Sequence, residues 1–196
     1  PKGIMPPICD GWSSRALTSK TTSFIMTTII FTGPPFSGKS SVIDRLKEQG
    51  YNAVPESARY VLDSLRSLRF KNPHKEKRDL FQREVMTRQL SLEDQNQQAP
   101  LVFYDRGIVD NLAYYLLDGL EPPSDIVSLA NSRRYDMVFY FKSLEKSVGD
   151  RVVTDEEEKG ALEKLIKETY LACEYTLIEV PETDVETRVN FILERI

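Results

Sequence analysis

Gly33-Pro34-Pro35-Phe36-Ser37-Gly38-Lys39-Ser40 reads G-x-x-x-x-G-K-S. The spacing suits phosphate: glycines let the backbone turn so that successive amides converge on an anion, the lysine adds charge, and the hydroxyl ligates a divalent cation. Amides from about Phe36 to Ser41 would surround a β-phosphate, helped by the positive end of a helix starting near Gly38. An exposed Lys39 would bridge the β- and γ-phosphates, and Ser40 would ligate Mg²⁺. The expected nucleotide contacts are therefore Gly33, Pro34, Pro35, Phe36, Ser37, Gly38, Lys39, Ser40 and Ser41. Pro34 and Pro35 lack amide hydrogens but sit where the loop leaves its strand, so they stiffen it without removing these donors.

A second chemical signal is Leu101-Val102-Phe103-Tyr104-Asp105, an apolar run ending in an acid that would hold the Mg²⁺ shell, as in a Walker B element. Glu56 ends another short apolar run, on the sheet edge toward which a γ-phosphate would point, and there it could accept a proton. Its alternative role is a first-turn acid interacting with a helix dipole. Arg59, one turn on, is either a phosphate or substrate contact or an ion-pair partner of Glu56. Asp110 either binds a substrate hydroxyl or caps the helix that follows it. Tyr114 and Tyr115 read as core and rim packing. The run Asp155-Glu156-Glu157-Glu158 reads as a solvated first helical turn, and His74, the single histidine, as a solvated helix-start residue.

Strands and helices must alternate to place these groups. Thr28 to Thr32 is a short buried strand; Lys39 to Gln49 carries Val42, Ile43 and Leu46 at helical spacing and stops at Gly50. Tyr51 to Val54 is the next strand, followed by helices from Glu56 to about Arg69 and from about Lys75 to Gln97. After Leu101 to Tyr104 come helices around Val109 to Leu117 and Asp125 to Ser132, then the strand Asp136 to Phe141. Thr154 with Glu157 and Thr183 with Glu186 have capping-box spacing and start the last two helices, around the strand Thr176 to Val180. This order implies a three-layer α/β fold with a five-stranded parallel sheet and ligands beyond the strands' C-terminal ends.

With 196 residues, one domain is expected, covering 28–196, with residues 1–27 as an unpatterned Pro- and Ser/Thr-rich extension. The formal net charge of -4, from 30 acidic and 26 basic side chains, supplies no basic surface for nucleic acid. Cys9 and Cys173 are far apart, so neither a disulfide framework nor a zinc site is implied, and a reducing, cytoplasmic setting is expected. No apolar run approaches the ~20 residues that span a bilayer.

The chain resembles the P-loop, AAA-type ATPase family related to the ribosylnicotinamide-kinase domain of the bacterial NAD-metabolism regulator NadR, which also has eukaryotic trafficking-linked members. The likeness rests on Gly33 to Ser40, Val54-Pro55-Glu56-Ser57-Ala58-Arg59, Phe81-Gln82, Gln89-Leu90, Phe103-Tyr104-Asp105-Arg106-Gly107 with Asp110 and Ala113-Tyr114, Tyr135-Asp136, Val180-Pro181, Arg188-Val189 and Phe191-Ile192-Leu193. It implies a kinase-like P-loop NTPase fold with a helical substrate side and a mobile lid. Small-molecule kinases of similar layout imply that Glu56 orients an acceptor hydroxyl and that Arg106 neutralises charge on the transferring phosphoryl group. In the lid segment 147–154 the resemblance places Arg151 over the phosphate, its alternative being an exposed arginine paired with Asp155 or Glu156. Phe36 departs from the family's usual small glycine, the segment 147–154 follows the family's Asp-Gly-x-Arg pattern only loosely, and Cys173-Glu174-Tyr175 departs from a common Leu-Gly-Tyr.

The expectation is thus a protein that binds ATP with Mg²⁺ and transfers phosphoryl to water or to a small hydroxylated molecule such as a nucleoside. The competing class is a nucleotide-gated binding or regulatory module using ATP or GTP. No Asn-Lys-x-Asp motif follows an apolar strand, which argues against a Ras-like GTPase.

Overall fold

The computed structural model describes residues 26–67, 77–144 and 156–196. Five parallel strands, β1 (Thr27–Thr32), β2 (Ala53–Val54), β3 (Leu101–Asp105), β4 (Met137–Phe141) and β5 (Leu177–Val180), form one sheet in the order β2-β3-β1-β4-β5. The described helices are α1 (Lys39–Glu48), α2 (Ser57–Ser67), α3 (Arg78–Gln95), α4 (Ile108–Leu117), α5 (Ser124–Ser132), α6 (Glu156–Ala172) and α7 (Val185–Leu193). The three-layer α/β expectation is met. β1 starts one residue earlier than expected, and β2 at the sheet edge is only two residues long.

Alternation along each strand divides the core, because successive side chains of a strand point to opposite faces. Ile30, Val102, Tyr104, Val138 and Tyr140 pack on one face against α4 and α6 residues such as Ala113, Ile166 and Tyr170. Ile29, Phe31, Phe103, Phe139 and Phe141 pack on the other, against Val42, Ile43 and Leu46 of α1 and Val189 and Ile192 of α7. Burial on both faces is why these strands read as continuous apolar runs. A third cluster, Val61, Leu65 and Phe81, joins α2 to α3 apart from the sheet and forms the helical wall beside its C-terminal edge.

Helix ends follow local chemistry. α1 stops because Gly50 takes a φ of 89°, and Arg45 and Lys47 in its last turn favour the negative end of the dipole. α7 corrects the expected Thr183 cap: Asp184 caps it, its carboxylate accepting from the Thr187 amide at 2.9 Å. Both residues suit a cap, and the chain enters the helix one residue later than the Thr183 to Glu186 spacing implied. Thr154, His74, Asp155, the lid segment 147–154 and residues 1–25 lie outside the described residues.

Phe31 sits at the centre of the second face, fully buried, with ring centroids 5.7, 6.0 and 5.1 Å from Phe103, Phe139 and Phe141. Phe31→Ala removes a large side chain that its three ring neighbours on the two flanking strands cannot collapse to replace. Urea unfolding should show a loss of about 3–5 kcal/mol; a loss below about 1 kcal/mol would contradict this account of the core.

Candidate functional site

The loop between β1 and α1 turns on backbone conformations that few residues tolerate. Gly33 has φ 136°, and a Cβ there would lie 2.1 Å from the carbonyl oxygen of Phe141 on the neighbouring β4, so only glycine allows that approach. Phe36 adopts φ 62°. That left-handed conformation is one glycine adopts freely, and in a non-glycine residue it costs about 1–2 kcal/mol. Gly38 (φ 84°) opens α1, and a Cβ on it would meet the Arg188 guanidinium at 2.6 Å.

Lys39 corrects the expectation of an exposed side chain. It is buried, and its ammonium donates to the carbonyls of Gly33 (3.0 Å) and Pro34 (2.8 Å) and to Ser37 Oγ (3.0 Å). The loop closes on its own lysine because these three oxygens lie within its reach. Burial, then the charge of Arg106, lower its pKa from 10.5 to about 8 against the opposing pull of Asp105, Glu56 and Asp110. Ser40 Oγ donates to Asp105 Oδ2 at 2.9 Å, bringing the two expected Mg²⁺ ligands into contact.

Asp105 ends β3, nearly fully buried, and its Oδ1 has no hydrogen-bond partner. Burial raises its pKa, with Lys39 and Arg106 opposing and Glu56 adding to the rise. A buried carboxylate oxygen without a donor, beside a serine hydroxyl, fits a hard divalent cation, which takes oxygen ligands.

Arg106 follows with φ 77°. Its Nε donates to Glu56 Oε1 at 2.6 Å, and its Nη1 donates to the Gly33 carbonyl (3.0 Å) and Asp110 Oδ1 (3.1 Å). Glu56 thus pairs with Arg106 rather than with Arg59, which stands exposed at the rim of the cavity. Burial pushes the Glu56 pKa up, but Arg106 and Lys39 outweigh it and hold the carboxyl below its usual range, so it is ionised at neutral pH.

Both Asp110 oxygens are engaged: Oδ1 accepts from Thr32 Oγ1 (2.7 Å) and Arg106, Oδ2 from the Gly107 amide (2.9 Å) and the Tyr170 hydroxyl (2.6 Å). Asp110 lies within the first turn of α4 rather than before the helix: its carboxylate caps the Gly107 amide and anchors Arg106. Tyr115 is core, with its hydroxyl on Asp79, whereas Tyr114 lines the cavity with the Arg106 guanidinium 5.2 Å from its ring centre.

These groups share one cavity of about 1020 Å³. Pro35 to Ser41 form one end; Glu56, Arg59, Arg106 and Asp110 lie in the middle; Leu62, Phe81, Val85, Tyr114 and Leu117 make an apolar wall with Gln82 and Asn111. Gly33, Pro34 and Asp105 lie behind this surface, the first two offering carbonyls to Lys39. Arg151 lies outside the described residues. Sequence reasoning assigned no role to Arg188 on α7, which is buried and donates to the Ser37 carbonyl at 3.1 Å, or to Gln89 of α3. Both belong to the residue pairs that carry the family likeness, which was the only available signal.

A parallel sheet with a glycine-lysine-serine loop after its central strand and an acid ending the neighbouring strand defines a P-loop nucleotide-binding protein of kinase-like fold. A family model described as AAA domain matches residues 28–188, and the chain belongs to that family. No curated protein matches the sequence. Among solved structures, deoxyadenosine kinase from M. mycoides, with products dCMP and a flexible dCDP bound, is similar at TM-score 0.62 and 17% identity, over 86% of this chain and 98% of that one. Thymidylate kinase from Candida albicans is similar at TM-score 0.60 and 14% identity, over 86% and 90%. At these identities the likeness shows the fold. No helix among the described residues is long and apolar enough to cross a membrane.

Lys39 generates a pH prediction. A bound triphosphate would keep the ammonium protonated, whereas the free protein releases that proton around pH 8. ATP binding should be insensitive to this group below about pH 7, then weaken by up to about tenfold per unit as pH rises above 8, with proton uptake. Calorimetry in buffers of different ionisation enthalpy reads the uptake at about pH 8.5, and Lys39→Met should abolish it. No uptake in the wild-type protein would remove Lys39 as the phosphate ligand.

Proposed function

We propose that the protein is a Mg-ATP-dependent phosphoryl-transfer enzyme whose acceptor is a small hydroxylated molecule of nucleoside type or water. The observation that carries this is the Glu56 to Arg106 pair, 2.6 Å apart, in the same cavity as the phosphate loop. Lys39 would leave its loop carbonyls for the β- and γ-phosphates, and the amides from Phe36 to Ser41 would cradle the β-phosphate. Ser40 and Asp105 would hold Mg²⁺, which screens phosphate charge when bound.

Glu56 would orient the acceptor hydroxyl. The acceptor oxygen forms a bond to the γ-phosphorus, the bond from that phosphorus to the bridging oxygen breaks, ADP leaves, and the hydroxyl proton passes to Glu56. A carboxylate held ionised is a weak base, which suits a loose transition state in which positioning and charge stabilisation contribute most. Arg106 would then face the transferring group with its charge already fixed in place. The apolar wall of Phe81, Val85 and Leu62, with the Gln82 and Asn111 amides beside it, suits a flat ring carrying polar edges. Such a ring is consistent with the resemblance to the ribosylnicotinamide-kinase domain, and the fold neighbours include nucleoside and nucleotide kinases.

A second reading, a nucleotide-gated binding module, is favoured by one observation: Lys39 is held by its own loop, so nucleotide binding must draw that side chain off the loop's oxygens. Turnover of γ-labelled ATP, alone and with a panel of nucleosides, separates hydrolase, kinase and silent binder. Asp105→Asn should weaken Mg²⁺ dependence and turnover together. Glu56→Gln should spare ATP binding and cut transfer by roughly 10²–10⁴-fold. Full transfer by Glu56→Gln under chemistry-limited conditions would make its role structural.

A further inference from the structure

Gln89 lies in the middle of α3, buried, 17 residues before Arg106 and 32 after Ser57 in sequence. Its carboxamide bonds the backbone of Arg106 and the side chain of the residue that follows Glu56. Oε1 accepts from Ser57 Oγ at 2.9 Å, and Ser57 is the residue after Glu56 and the first of α2. Nε2 donates to the Arg106 carbonyl at 3.2 Å and to Glu93 Oε1 at 3.0 Å. We infer that Gln89 is a positioning residue that sets the relative placement of Glu56 and Arg106, an inference that rests on the reading of this site as a phosphoryl-transfer centre.

The Arg106 backbone holds a φ of 77° without being glycine. Such a conformation persists only where the surroundings over-determine it. Two bonds do so here: the Arg106 amide donates to the Phe31 carbonyl at 2.9 Å, and the Arg106 carbonyl accepts from Gln89. With the peptide on each side fixed, the direction in which the guanidinium leaves the chain is fixed too. On the other side, the Ser57 hydroxyl ties the first turn of α2, and so the backbone of Glu56, to the same amide.

The chemistry of the position requires a carboxamide. Gln89 faces one donor, the Ser57 hydroxyl, and two acceptors, the Arg106 carbonyl and the Glu93 carboxylate. A carboxylate would present a second acceptor to two acceptors, an apolar side chain would remove a bond from all three, and asparagine is one methylene short. Glu93, four residues on along α3, accepts from the Tyr135 hydroxyl at 2.9 Å, and that hydroxyl accepts from the Ile108 amide at 2.9 Å. The line through Glu93 therefore also fixes the start of α4, which carries Asp110. Burial raises the Glu93 pKa, the bonds from Gln89 and Tyr135 opposing, so the Gln89 donor is needed where the carboxylate has lost water.

The test compares wild type, Gln89→Met and Gln89→Glu in single-turnover cleavage or transfer of γ-labelled Mg-ATP, with ATP affinity measured separately. Gln89→Met should bind ATP within about threefold of wild type and react at least tenfold more slowly. Gln89→Glu should be slow at about pH 8 and recover as pH falls toward 6, because a protonated carboxyl regains a donor for the Arg106 carbonyl. The charged and titratable groups around it are Glu93, Arg106, Tyr135, Arg133 and Asp94, and the wild-type profile corrects for them. A second readout needs no turnover: the Arg106 Nε–H resonance, bonded to Glu56, should be sharp and slowly exchanging in wild type and broadened in Gln89→Met, with Gln95→Met as the exposed control. Wild-type rate and an unchanged resonance in Gln89→Met, or loss of affinity and rate in equal proportion, would overturn the inference. A wild type without turnover whose Arg106 resonance still broadens in Gln89→Met would refute the transfer reading and leave the positioning role standing.

Discussion

One side chain holds three separate segments of this protein in register: the Arg106 guanidinium, bonded to Glu56 after β2, to the Gly33 carbonyl after β1 and to Asp110 on α4. Buried arginine charge is costly unless it is paired, and here Nε and Nη1 donate to two carboxylates and a carbonyl. Asp110 is in turn held by Thr32, Gly107 and Tyr170, so β1, the start of α4 and α6 converge on the same carboxylate. Replacing Glu56 or Asp110 by an apolar residue would leave part of that buried charge uncompensated, a loss of about 3–5 kcal/mol in comparable pairs. The C-terminal edge of the sheet is thereby rigid before any nucleotide arrives.

That rigidity contrasts with the phosphate loop. The loop's backbone is set by Gly33 against β4, by Phe36 in the left-handed region and by Arg188 on the Ser37 carbonyl, while its lysine is held by the loop's own oxygens. A triphosphate offers Lys39 full negative charge in place of carbonyl dipoles, so a side-chain movement suffices to load the site. Asp105 Oδ1, buried and unpaired, is the complementary feature on the acid side. The arrangement fits a fixed acceptor half beside a phosphate half that completes its charge pairing on binding.

Much of this was legible in the sequence, for identifiable reasons. The strand, loop and helix around Gly33 to Ser40 are local, and the doubly buried strands announce themselves as apolar runs such as Val138 to Phe141. The contact between Ser40 and Asp105 followed from combining two such local signals across 65 residues. The Thr183 cap failed by one residue because Asp184 offers equivalent chemistry at the next position. The buried state of Lys39 was not legible, since a motif constrains the backbone and leaves open which oxygens the side chain takes. Gln89 and Arg188 were invisible for a different reason: their partners lie on other elements, and neither periodicity nor composition marks a buried polar residue whose function is to hold another.

The central claim is that the Arg106 fork, already fixed by Glu56, Gly33 and Asp110, stabilises the transferring phosphoryl group. The most direct measurement is single-turnover cleavage of γ-labelled Mg-ATP by Arg106→Lys on the folded fraction, beside ATP affinity. Lysine keeps the charge but not the planar fork that reaches three acceptors. The account predicts a rate lowered by at least about 100-fold with ATP affinity within a few-fold of wild type. A near-wild-type rate in the folded variant would contradict it.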